Sequence, residues 1–196
     1  MNDKLYTEYE NYLALGRKKD AKIAIEKFIQ SFMSYDEKKM WVESNILDLV
    51  SKTNRALRIR HEIFRFLVFP VLLEGYKNKS AEHVRLLNTF RQNLYSDKES
   101  WRQIDFKSPL ELSKLAYELN PDNLAIRSAL LSSLLSGFDW LDHEWPSGLL
   151  CRKDRSTINE LLEEIRMAEL LDDEGIHDVQ LNEFKKHVMQ WANFSE

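Results

Sequence analysis

Asp139, Asp142 and His143 come nearest, by type and spacing, to a set of residues that could do chemistry. They fall at i, i+3 and i+4, so a continuous helix puts two carboxylates and an imidazole on one face. Such a set can hold a divalent metal or run general acid and base catalysis. Trp140, Glu144 and Trp145 complete a segment, residues 137–148, dense in Asp, His and Trp. Three readings are open for it. The plainest is a solvated helix terminus beside two tryptophans that close the core. A second is a protein-binding edge, since large aromatics among charges are common at interfaces. The third is a catalytic or metal centre.

The metal reading finds little company elsewhere in the chain. A dinuclear carboxylate bundle needs Glu-x-x-His on two helices and carboxylates from two more. The one such motif here is Glu174-Gly175-Ile176-His177, where glycine and an Asp-rich approach indicate a loop. His143-Glu144 and His61-Glu62 both lack the second histidine at i+4 that a zinc protease requires. No metal and no cofactor are therefore expected. The candidate partner-binding residues are Asp139, Trp140, Asp142, His143, Glu144 and Trp145. A competing helical metal enzyme would use Asp139, Asp142 and His143, with Glu174 or His177.

Cys151, the single cysteine, has Arg152, Lys153 and Arg155 beside it to lower its pKa, but no His at helical spacing to act as its base. It reads as a buried or incidental thiol. One cysteine makes no intramolecular disulfide, and the first sixteen residues lack the basic-then-apolar order of a secretory signal, so the expected location is cytoplasmic. The longest apolar run covers residues 66–73, far short of the ~20 residues that span a bilayer, and no membrane partner is expected.

Arg55, Arg58, Arg60, Lys77, Lys79, Arg85 and Arg91 form a basic stretch. Nucleic-acid binding would set such cations against phosphates, with exposed aromatics for stacking. The phenylalanines here sit at core spacing, Glu62, Glu74 and Glu82 dilute the charge, and Arg58 with Glu62 makes an i, i+4 pair. A solvated helix face is the expectation, with a protein partner or nucleic-acid binding as the alternatives. The net charge of −4 is uneven: residues 1–110 hold 20 Lys/Arg against 15 Asp/Glu, and residues 111–196 hold 8 against 17. The halves thus carry +5 and −9, enough to steer charged partners at low salt.

The elements that must position these residues are helices. Five glycines and four prolines punctuate 196 residues, too few for the turns of a strand-rich fold. The same scarcity excludes phosphate loops and nucleophile elbows, which are built on glycine. Leu5, Tyr9, Tyr12 and Leu13, then Ala21, Ala24, Ile25, Phe28 and Phe32, predict two antiparallel helices around Gly16. Ser34-Tyr35-Asp36-Glu37 matches a capping box and opens a helix carrying Trp41, Ile46, Leu47 and Val50 inward. A helical stripe over residues 58–76 contains Pro70 and predicts a kink or break near residues 66–70.

Ser80 should cap a helix presenting Val84, Leu87, Phe90 and Leu94 on one face. Ser108-Pro109-Leu110-Glu111 combines a capping box with proline at the first helical position, and that helix should stop at Asn120-Pro121-Asp122. Residues 124–140 should form the most buried helix. Residues 145–148 break the pattern, Thr157 to Glu160 forms another capping box, and helices over about 157–172 and 178–194 follow. The expectation is an all-α chain, one domain over residues 1–196, built as a stack of about nine antiparallel helices, solenoid-like or an irregular bundle.

Gly16-Arg17-Lys18-Lys19-Asp20-Ala21 resembles the turn and second-helix start of tetratricopeptide repeats. Residues 116–123, Ala-Tyr-Glu-Leu-Asn-Pro-Asp-Asn, resemble the end of such a repeat's second helix. The two segments lie 100 residues apart without in-phase copies between them, so the likeness is to hairpin stacking rather than a regular array. The resemblance implies a concave face that binds a protein or peptide. The expected function is non-catalytic, with another protein as partner: a helical adaptor, or a neutralising partner such as the immunity protein of a bacterial toxin, its acidic half capping a basic active site.

Overall fold

The computed structural model describes residues 2–53, 59–144 and 155–193. Among these residues the chain is all-α, without a strand. It divides into two compact units, Met1–Ser108 and Pro109–Glu196. The boundary falls at the end of the non-helical stretch 103–108, at the Ser108-Pro109 helix start; no Gly- or Ser-rich composition marks it, although charge does. By count, the first unit carries +5 and the second −9.

Unit 1 opens with a helical hairpin, α1 (Asn2–Ala14) and α2 (Lys18–Gln30). Gly16 makes the turn at φ +70°, in the left-handed region that favours glycine. α2 turns Ala21, Ala24, Ile25 and Phe28 inward, and Phe28 meets Tyr6 at 5.2 Å and Trp41 at 4.9 Å between ring centres. α3 (Tyr35–Val42) starts at Ser34, whose hydroxyl oxygen accepts from the Glu37 amide at 3.2 Å. The return bond differs from a standard capping box, because the Glu37 carboxylate takes the Met33 amide at 2.8 Å. α3 widens through a π-type turn, Glu43–Leu47, into α4 (Asp48–Thr53).

The stripe containing Pro70 resolves in the same way. α5 (His61–Ile63) passes through a π-type turn, Phe64–Val68, into α6 (Phe69–Lys77). Pro70 is the second residue of α6 in a backbone already helical at Val68 and Phe69, so its missing N–H falls just where the helix has shifted from α to π hydrogen bonding. α6 then packs tightly on α7 (Ala81–Thr89): a Cβ built on Gly75 would lie 2.1 Å from Cγ of His83. Ser80 begins α7 without capping it through its side chain. Its hydroxyl instead meets Nδ1 of His83 at 2.8 Å. The stripe through Leu94 is broken at Phe90 into α7 and α8 (Arg91–Ser96), followed by α9 (Lys98–Arg102).

Burial depresses the His83 pKa below its ordinary value. Burial likewise pushes the Tyr9 phenol up to about 12. Glu74 accepts from the Tyr35 hydroxyl at 2.7 Å and from Lys39 Nζ at 3.0 Å, and these bonds hold its carboxyl below the usual range.

Unit 2 is built from α10 (Pro109–Leu119), α11 (Leu124–Glu144), α12 (Arg155–Leu171) and α13 (Asp178–Asn193). α10 begins at the predicted proline. α12 begins at Arg155, ahead of the capping box read at Thr157. Leu130, Leu134, Phe138, Ile165, Ala168, Leu181, Phe184 and Val188 form the core of this unit. α11 is less buried than its composition suggests: Leu124, Ser136 and Trp140 are exposed, and Gly137 sits within the helix with open space around its Cα rather than breaking it. Lys114 of α10 holds Glu164 of α12 at 2.6 Å, and the single nitrogen Nη2 of Arg127 on α11 donates to both oxygens of Asp173 at 2.8 and 2.7 Å.

Candidate functional site

The last turns of α11 and the first turns of α13 enclose a cleft of about 340 Å³ in unit 2. Phe138, Asp139 and Asp142 line it from α11; Ile176, His177, Val179, Gln180, Glu183 and Phe184 line it from the loop before α13 and from α13 itself. Its floor is the stacked pair Phe138 and Phe184, ring centres 4.6 Å apart and 19° from parallel. Both rings are buried, and such a pair adds about 0.5–1.5 kcal/mol beyond the area it covers.

Two polar ties hold the walls together. Gln180 Nε2 donates to Asp139 Oδ1 at 2.6 Å, and Nδ1 of His187 pairs with Asp142 Oδ1. The loop that leads into α13 is fixed from below. Asp172 is buried, and its two carboxylate oxygens accept the backbone amides of Ile176 and His177 at 3.2 and 2.6 Å. Gly175 makes the accompanying turn at φ +65°. The result is a hydrogen-bonded rim on which Ile176 and Val179 stand 70% and 74% exposed, against the 2–3% of the floor rings. Leu124 and Leu170 of the same unit are as exposed, at 78% and 74%, so what sets Ile176 and Val179 apart is that the two stand together on the edge of the cleft.

The sequence candidates separate in this geometry. Asp139 and Asp142 both face the cleft, one turn apart. Trp140 is 52% exposed and His143 is exposed, and neither lines it. The side chain of Glu144, along with Trp145 and Cys151, lies outside the described residues. The i, i+3, i+4 face of Asp139, Asp142 and His143 is therefore split, with the carboxylates engaged by α13. Among the described residues no group of three or more His, Cys, Asp or Glu side chains converges as a metal site.

Ile176, Val179, Gln180, Glu183 and His187 were not among the sequence candidates. A signal existed for Val179, which falls off the stripe made by Leu181, Phe184 and Val188 and so predicts an exposed aliphatic. Nothing local signals the pairing of Asp142 with a histidine 45 positions away.

Two members of the basic stretch are engaged by carboxylates of their own segment. Arg85 is buried and forks onto Glu82 at 2.8 and 2.7 Å, and Arg60 lies 3.4 Å from Glu62. Arg55 and Arg58, and with them the predicted pair to Glu62, lie outside the described residues. Among the described residues no helix is long and apolar enough to cross a membrane.

Together these features define an all-α protein whose acidic unit carries a preformed cleft with a polar lining and an aliphatic rim. Compared with family models, characterised proteins and solved structures, the chain matches none.

Proposed function

We propose that the chain is a non-catalytic protein-binding module and that the cleft of unit 2, with its rim, is where the partner docks. The observation that carries this reading is the exposure of Ile176 and Val179 side by side on the cleft edge, on a loop and helix start whose Ile176 and His177 amides are tied to the buried Asp172. Preformed apolar contacts cost little ordering entropy on binding, which is what distinguishes a docking surface from a floppy patch. The engaged carboxylates support the same reading. Asp139 and Asp142 are tied to Gln180 and His187, an arrangement that shapes a wall rather than frees an acid and a base. A helical adaptor and a neutralising subunit both need such a surface.

The test is a photo-crosslinking amino acid at Val179, with the same group at Met33 of unit 1 as control, in cells that express the full chain. Met33 is 88% exposed, so a generally sticky chain would label there too. One stoichiometric adduct from Val179, lost in the Ile176→Asp variant, is expected. Equal adducts from both positions, or none from Val179, would remove the reading.

A further inference from the structure

The lining of the cleft specifies its occupant more narrowly than its shape does. Its charged groups are the carboxylates of Asp139, Asp142 and Glu183, with His177 as the remaining titratable side chain and neither Lys nor Arg among them. Of the nearby cations, Lys185 is held by Glu169 of α12 at 2.7 Å, and Lys186 follows one turn beyond Glu183, outside the lining. The whole unit has the same sign, with 8 Lys/Arg against 17 Asp/Glu over residues 109–196. A cleft lined by one sign of charge in such a unit concentrates negative potential. Asp139 and Asp142 each spend one recorded contact on α13, and a carboxylate can accept about four hydrogen bonds, so acceptor capacity remains. At about 340 Å³ the cleft is at the small end for ligand sites, suited to a side chain or two rather than a cofactor.

Resting on the reading of unit 2 as a protein-binding module, we propose that the cleft takes a partner segment in which Lys or Arg stands next to an aliphatic residue. The cation enters between Asp139, Asp142 and Glu183, and the aliphatic side chain covers Ile176 and Val179. Charge steers the encounter and sets its specificity, while the apolar contact slows departure. An acidic segment meets like charge on the same surface and is rejected.

The test uses the full chain and three labelled peptides of about 12 residues, followed by fluorescence anisotropy at low and moderate salt: Arg alternating with Leu, Arg alternating with Ser, and Glu alternating with Leu. The Arg/Leu peptide should bind about tenfold more tightly than Arg/Ser, weaken as salt rises, and outcompete Glu/Leu completely. The double variant Asp139→Asn, Glu183→Gln and, separately, Val179→Ser should each weaken it by about fivefold or more, with helicity unchanged by circular dichroism. Equal binding of Arg/Ser would reduce the cleft to a bare acidic surface. Equal binding of Glu/Leu would leave only an apolar patch, and insensitivity to the variants would move the contact elsewhere; each of these overturns the proposal. Failure of the Arg/Leu peptide alongside a stoichiometric Val179 adduct refutes the basic segment while leaving the protein-binding module standing. Failure of both refutes both.

Discussion

Two glycines on α6 and α11 make opposite forecasts for one substitution. At Gly75 an added Cβ would lie 2.1 Å from Cγ and 2.4 Å from Cβ and Cδ2 of His83, about 1.3 Å short of ordinary contact at 3.4 Å. Neither partner can retreat cheaply, since the near atoms of His83 are the root of its ring and α6 packs on α7 along this line. Overpacking of this kind costs about 1–3 kcal/mol. Turning the ring away also breaks the contact between Ser80 and His83, a further ~1 kcal/mol. The gain in helix propensity from Gly to Ala returns about 1 kcal/mol, so Gly75→Ala should destabilise unit 1 by about 1–3 kcal/mol.

Gly137 has nothing within 4 Å of its Cβ position, and there only the propensity gain acts, so Gly137→Ala should stabilise by about 0.5–1 kcal/mol. Urea unfolding of the two variants beside the parent measures both. Trimming the ring in the double variant Gly75→Ala, His83→Ala should recover part of the loss, giving a coupling of opposite sign to the single effects. Same-sign shifts for the two glycines, or a Gly75→Ala protein at least as stable as the parent, would refute the packing argument.

Acid should weaken the fold through His83 before it reaches the carboxylates. The folded pKa is depressed by burial, so the unfolded chain binds the extra proton more readily. The contribution of the neutral imidazole is complete above its ordinary value of ~6.5 and is lost as pH falls through the folded value. Urea midpoints from pH 7.5 down to about 5 should decline, and His83→Gln should flatten that slope. Asp172→Ala deprives the Ile176 and His177 amides of their acceptor and should cost about 2 kcal/mol by the same measurement, with faster hydrogen exchange at those two amides. Phe184→Ala removes half of the cleft floor and should cost about 3–5 kcal/mol, read as a lower midpoint for unit 2.

What the sequence made legible is what local chemistry decides. The starts at Ser34 and Pro109 are written in capping residues, and the Gly16 turn in the need for a positive φ. The apolar period located α2 because its buried face, Ala21, Ala24, Ile25 and Phe28, repeats without interruption. It failed where continuity of period hides a change in backbone: the stripe through Phe90 keeps its phase while the helix breaks there, and the π-type turns absorb a residue without a sequence mark. The helix expected over 124–140 runs on unbroken through Gly137, where nothing packs against the position a Cβ would take. Of the candidate site, Asp139 and Asp142 were visible as a helical face. Their partners Gln180 and His187 were not, because tertiary pairing across more than 40 residues leaves no local spacing to read.

Hydrogen exchange of the full chain, free and in complex with the protein crosslinked from Val179, tests the proposed docking of a protein partner on the cleft and rim of unit 2. Protection should concentrate in residues 138–142 and 176–184, with the hairpin of α1 and α2 unchanged. Protection confined to unit 1, or spread evenly along the chain, would contradict it.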